Sequence, residues 1–144
     1  MSNSMLELTD LFMVKQLAER EDTPDGTGFA TVSYAFGGPD VDTDEGEISV
    51  TSAVIVELKR GDDEIVVAKI ESDYHVIFRW TGPGDAADWN DHLEVQDLYQ
   101  ASLNETHARH RERILESTMR MGIPLFRLEL QPLRLEGDPK RVDR

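Results

Sequence analysis

The chain of 144 residues contains no cysteine, which removes disulfides, thiolate catalysis and cysteine-ligated zinc together. Cations are scarce as well: 15 Lys and Arg stand against 29 Asp and Glu, for a formal net charge of -14. An acid excess of that size repels nucleic-acid phosphates and anionic lipid headgroups, so neither nucleic acid nor membrane is an expected partner. The one basic run, carrying His107, Arg109, His110, Arg111 and Arg113, spreads its charges around a helix. No apolar run approaches membrane length, and no basic, apolar and small-residue succession opens the chain, so the cytoplasm is the expected location. No glycine-rich phosphate loop follows a strand, no serine sits in a nucleophile elbow, and no carboxylates are set apart as acid and base. An enzyme is therefore not expected, and no cofactor or metal is implied. At 39% hydrophobic residues, the chain can fill a single two-layer core.

What the chain has is alternation. Residues 47–59 and 63–80 place Ile48, Val50, Ser52, Val54, Val56, Leu58, Val66, Ala68, Ile70, Ser72, Tyr74, Val76, Phe78 and Trp80 on even positions. Odd positions are mostly polar, with Ala53, Ile55, Ile65, Val67 and Ile77 as exceptions. Period-2 patterning of this length predicts antiparallel strands with one covered and one wet face. Pairing Leu58 with Val66 across a loop of Gly61, Asp62 and Asp63 keeps the even faces together. That register sets Ser52 opposite Ser72, a shallow dip in a bulky face, to be filled by a helix side chain or left as a groove.

Residues 5–21 are ambiguous: Leu8, Leu11, Phe12 and Ala18 share one side of a helical wheel, Leu17 leaves it, and an irregular strand fits as well. A turn over residues 22–28 precedes a second strand in which Ala30, Val32, Tyr34 and Phe36 alternate with Thr31, Ser33 and Ala35. Gly37, Gly38 and Pro39 break it and lead into an acidic loop, residues 40–46. Asp40, Asp42 and Asp44 have the first three spacings of an EF-hand, but Glu45 stands where glycine is needed and Thr51 where the bidentate acid belongs, so a solvated loop is expected. Residues 1–4 read as a disordered lead and residues 136–144 as a solvated tail.

A crossover over residues 81–92, anchored by Trp89, leads to a helix from about residue 93 to Met121, where Gly122 and Pro124 stop it. Tyr99, Leu103, His107, His110, Ile114, Ser117 and Met121 form the face expected on the even side of the sheet. His107 and His110 are spaced to share a metal, but no third ligand is indicated, and partly buried, hydrogen-bonded histidines are the simpler reading. Ala101, Ala108 and Leu115 recur every seven residues on the opposite face, with Leu98 and Met119 beside them. Small residues in a heptad permit close helix approach, so these five are candidate contacts of a homo-oligomer; alanine's helix propensity alone is the competing reading.

Four strands, a crossover, a long helix ending in Gly122-Ile123-Pro124 and an extended segment over residues 125–130 resemble the SecB family of cytosolic export chaperones. The resemblance makes residues 5–21 the first strand and covers residues 5–132 as one domain, with residues 133–144 a flexible tail. It implies an α+β fold, a four-stranded antiparallel sheet in Greek-key order packed against one long helix, assembled as a dimer or dimer of dimers. It also implies an ATP-independent holdase that binds unfolded or partly folded polypeptides in a hydrophobic groove. Phe78, Trp80, Trp89, Met121 and Phe126 are the candidate peptide-binding residues, because adaptable Met and rigid aromatics suit a promiscuous groove; for Phe78, Trp80 and Met121, on the faces expected to be buried, ordinary core is the competing reading. The family's second helix has no counterpart, since residues 133–139 are too short and broken to form one. A toxin-antitoxin client therefore fits as well as protein transport. A non-catalytic module that binds one specific partner stays open as the alternative.

Overall fold

A computed structural model describes residues 5–20, 28–61, 65–122, 128–129 and 131–135. Strands β1 (Leu6–Arg20), β2 (Gly28–Asp42), β3 (Glu47–Arg60) and β4 (Val66–Trp80) form one antiparallel sheet in the order β1-β4-β3-β2. A 3-10 turn over Ala86–Asp91 follows β4, then the helix α1 (Val95–Met121). This is the expected α+β architecture: three consecutive hairpin strands, with the first strand laid beside the fourth.

The even residues of β3 and β4 face α1. Ile48, Val50, Val54, Val56, Ile70 and Val76 are each at most 1% exposed, and such burial contributes about 1.5–3 kcal/mol per side chain. The register differs from the expected one. Lys59 pairs with Val66 and Leu58 with Ala68, so Val67 is a bulge that shifts the rest of the ladder. Ser52 consequently faces Tyr74, and Ser72 faces Val54. The even faces stay together, and the two serines become diagonal neighbours.

β1 settles the ambiguous segment as a strand. Its ladder with β4 skips Thr9 and Val14, two bulges that move the helix-side set from Leu6 and Leu8 to Leu11 and Met13 and then to Gln16 and Ala18. Each bulge turns a spacing of two into three, which is why the pattern fitted a helical wheel. The hydroxyl of Thr9 donates to Ile77 O (3.1 Å). In β2 the expected break at Gly37, Gly38 and Pro39 is likewise an irregularity inside a strand that runs on to Asp42. Asp42 then caps the turn, its Oδ1 accepting from the backbone of Asp44 (3.1 Å) and Glu45 (3.2 Å).

α1 starts with a reciprocal capping box between Glu94 and Asp97 and stops at Gly122 in the left-handed region (φ 66°). The expected face is the packed one: Leu103, His107, His110, Ile114 and Ser117 are buried. Gln16 donates to Ser117 Oγ (3.2 Å), and Arg20 to Met121 O (3.2 Å) at the negative end of the helix dipole. Ile48, Val50, Trp80, Ala86 and Leu98 form one core cluster under the crossover; Val54, Val56, Ile70, Ile114 and Leu128 form a second under the C-terminal half of α1.

The expected lead, first turn, hairpin tip and tail (residues 1–4, 22–27, 62–63 and 136–144) lie outside the described residues.

Candidate functional site

A helix is roughly 10 Å across and strands lie about 4.8 Å apart, so one helix cannot cover four strands. α1 lies mainly on β3 and β4, and β2 remains an edge that is partly open. Ala30, Val32, Tyr34 and Phe36 turn toward the helix but are only half-buried, and the first three pack on the second core cluster. Phe36 stacks on Tyr99 with ring centres 4.8 Å apart, and the Tyr99 hydroxyl donates to Gly38 O (2.8 Å). Burial holds the Tyr34 phenol above its ordinary pKa, so it stays neutral.

Residues 128–129 and 131–135 form the far wall. They run beside α1, with Arg111 Nε donating to Leu128 O (3.0 Å) and Gln100 Nε2 to Leu133 O (2.9 Å). Between this wall, β2 and the helix lies a groove with a volume of about 420 Å³, lined by Val32, Tyr34, His107, Leu128, Glu129, Gln131 and Leu133. Val32, Tyr34, Leu128 and Leu133 make its wall mostly apolar, with His107, Glu129 and Gln131 as the polar groups, the composition of a site that accepts apolar side chains.

Two histidines separate this groove from the sealed core. His110 is fully buried, its Nε2 3.2 Å from Ser52 Oγ and its Nδ1 3.0 Å from Ser72 Oγ. It fills the dip between the diagonal serines and crosses Tyr74 edge-on at 5.1 Å. Thr106 Oγ1 lies 3.2 Å from Ser52 Oγ and donates to Ser102 O (2.9 Å), so the layer is hydrogen-bonded throughout. Burial, aided by the charge of nearby His107, pushes the His110 pKa down to about 4. Ser52 and His110 are both at 0% exposure, so this serine-histidine pair cannot touch a substrate. His107 lines the groove instead. Its Nε2–H donates to Glu129 O (2.6 Å), and its Nδ1 is buried and without a hydrogen-bond partner among the described residues. Among the described residues, no three His, Asp or Glu side chains cluster as a metal site.

Four of the five residues expected to bind peptide fall among the described residues, and none of the four lines this groove. Phe78 (2% exposed) and Trp80 (8%) are core, because the even face of β4 lies under α1 and the crossover. Trp80 is held further by its Nε1–H, which donates to Pro83 O (3.2 Å). Trp89, the large anchor of the crossover, is half-buried against the first core cluster. Met121 is half-buried against the second cluster, and Phe126 lies outside the described residues. Of the expected oligomer contacts, Leu98 is fully buried within its own chain, in the i, i+4 row that also carries Ser102, Thr106 and His110, and is thus a core residue. Met119 (63% exposed) and Ala108 are on the surface, and Ala101 and Leu115 are half-buried. The tail expected from residue 133 begins with two residues, Leu133 and Leu135, bonded to Gln100.

Val32, Tyr34, His107, Leu128 and Leu133 are the groove residues that the sequence reading passed over. The signal for the first two was present: β2 carries the shortest apolar alternation, as an edge strand does. Nothing local marks Leu128 and Leu133, whose role depends on where the chain runs after Gly122.

No family model matches the chain, and no curated protein matches it. Among solved structures, the chain is similar to a SecB-like chaperone of Mycobacterium tuberculosis in complex with a ChAD peptide from the HigA1 antitoxin: 15% identity, a TM-score of 0.70, and 92% of this chain and 94% of that one covered. A protein of unknown function from Streptococcus agalactiae matches at 16% identity over 87% of this chain and 98% of that one, with a TM-score of only 0.39. The fold is therefore SecB-like, as the order of elements implied.

Proposed function

We propose that this chain is an ATP-independent holdase that binds extended segments of unfolded or partly folded polypeptides in the groove between β2, α1 and residues 128–129 and 131–135. The observation that carries the reading is the half-covered aliphatic and aromatic face of Val32 and Tyr34, continuous with Leu128 and Leu133 in a groove of about 420 Å³. A face of this kind is a docking surface that waits for apolar side chains. The SecB-like neighbour was solved with a peptide bound, which supports a polypeptide as the occupant. The net charge of -14 favours cationic clients and speeds their encounter. The protein is non-catalytic in this reading and works in the cytoplasm; no helix among the described residues is long and apolar enough to cross a membrane.

Assembly belongs to the same proposal. Ala101, Ala108, Leu115 and Met119 offer a helix face to a second copy, and β1 presents an edge strand with Leu8, Phe12, Met13 and Val14 each at least 40% exposed. Long apolar edges are rarely left open, and light scattering at micromolar concentration is expected to find a homo-oligomer. The peptide in the neighbouring structure comes from an antitoxin, which favours a second reading: one dedicated partner, in a toxin-antitoxin or transport setting. The test is suppression of aggregation by the purified chain, without nucleotide, for several unrelated denatured proteins. Suppression of all, lost on Tyr34→Asp, is expected of a holdase; suppression of none would leave only the dedicated partner.

A further inference from the structure

The wall of the groove is polypeptide held by its backbone. Arg111 Nε donates to Leu128 O (3.0 Å), His107 Nε2 to Glu129 O (2.6 Å) and Gln100 Nε2 to Leu133 O (2.9 Å), and the Leu135 N–H donates to Gln100 Oε1 (2.6 Å). These four bonds use no side chain of the segment. Gln100, His107 and Arg111 are seven and four residues apart, so they line one edge of α1. The eleven residues from Gln100 to Arg111 rise about 16 Å at 1.5 Å each. The carbonyls held at the two ends, Leu128 O and Leu133 O, are five residues apart, and an extended chain covers about the same length in five residues at 3.3 Å each. The ladder thus has the pitch of any extended chain running antiparallel to the helix.

Gln100 is its most complete rung. The amide donates to one carbonyl and accepts from the N–H two residues on, the pairing that a neighbouring strand would offer. Its second N–H donates to Asn104 Oδ1 (2.9 Å), one turn along, which fixes the plane of the amide. The two ends of the segment are held unequally. Leu128 is 5% exposed and part of the second core cluster, whereas Leu133 is 47% exposed and its end of the segment hangs on Gln100.

We propose that Gln100 reads polypeptide main chain without regard to sequence, and that Leu133–Leu135 occupies it in the free protein as a stand-in that an extended client displaces. This rests on the groove being the polypeptide site. It supplies what a promiscuous binder needs beyond apolar contact, since backbone bonds are common to all clients. It also sets a built-in competition: client affinity is reduced by the fraction of time the segment is seated.

The test uses the full chain and a permanently unfolded basic probe, reduced and carbamidomethylated ribonuclease. Leu135→Pro deletes the N–H that Gln100 accepts and leaves the reader intact; Arg134→Gly, at an exposed position outside the groove lining, loosens the same end without a proline. Both are expected to bind the probe at least threefold tighter than the unmodified chain, with an unchanged melting temperature. Gln100→Ala loses segment and reader together and is expected to show no such gain. In the unmodified chain, the Leu135 amide should exchange faster with solvent when the probe is added. Equal affinity for all four proteins, or a gain in Gln100→Ala matching that of Leu135→Pro, would overturn this inference and leave the binding groove standing. No binding by any of them would overturn the groove reading itself, and this inference with it.

Discussion

The centre of the sheet and its β2 edge lie under the same helix but are closed by different means. At the centre, His110 spends both ring nitrogens on Ser52 and Ser72, and every side chain in the layer is sealed from solvent. At the edge, one turn earlier on α1, His107 spends one nitrogen on a backbone carbonyl and keeps the other without a partner, beside an open groove. A polar layer that is fully satisfied fixes how the helix sits on the sheet, because any shift along the axis leaves donors and acceptors unmet. A partly satisfied wall can be remade at low cost. The difference teaches where this fold leaves apolar surface open: not at its largest aromatics, which are packed in or against the core, but along an edge strand that one helix is too narrow to cover.

The sharpest way to break the comparison is to remove the central clamp. His110→Leu keeps similar volume but strips both serines of their partner inside a sealed layer, and is expected to cost about 2–4 kcal/mol in urea unfolding. Val32→Ser, at the groove edge, is expected to cost less than about 1 kcal/mol, because the residue is already half solvated. Equal losses would mean that the edge is as closed as the centre.

The second test is pH. His110 has its folded pKa at about 4, below the ordinary 6.5, so the stability it confers is whole above pH 6.5 and is lost as pH falls from there toward 4. Asp73, on the outer face, works the other way. Burial, then its hydrogen bond to Glu71 and the Glu71 charge, raise its carboxyl from 3.8 to about 6, with Lys15 opposing. Its contribution is whole below pH 3.8 and is lost as pH rises through about 6. The two trends oppose each other, and the unmodified chain is expected to change little in stability between pH 6 and 5. Asp73→Asn leaves the histidine unopposed and is expected to lose about 1 kcal/mol over that pH unit. A flat profile in that variant would place His110 outside the sealed layer.

Trp89→Ala is expected to cost less than His110→Leu. Its ring rests on the first core cluster, so a loss of about 1–2 kcal/mol is expected, with client binding unchanged. Weakened binding without lost stability would restore Trp89 to the site and remove the contrast between core aromatics and groove.

The fold was legible where one period ran uninterrupted. β3 alternates along most of its length and β4 from Ala68 onward, and α1 runs from its capping box to Gly122 without a breaker, so their faces followed from spacing alone. The two serines in a bulky face marked a dip, and His110 on the facing helix stripe was its complement. Bulges hid the rest. Thr9 and Val14 each add one residue to β1 and mimic helical spacing, and Val67 moves the β3–β4 ladder by a residue that no turn rule shows. The groove was illegible for another reason: it exists only once residues 128–129 and 131–135 lie along α1, held by three side chains far away in sequence. Aromatic content pointed to Phe78 and Trp80 because large rings suit both grooves and cores, and period alone does not choose between them.

The central claim, that polypeptide binds at the β2 edge and leaves the polar centre untouched, is tested most directly by side-chain NMR of the unmodified chain during titration with an unfolded basic protein. Shifts are expected at Val32, Tyr34, His107 and Leu133, with His110 and Tyr74 unmoved. Shifts that centre on Trp80 and Trp89, or that spread into the His110 layer, would contradict it.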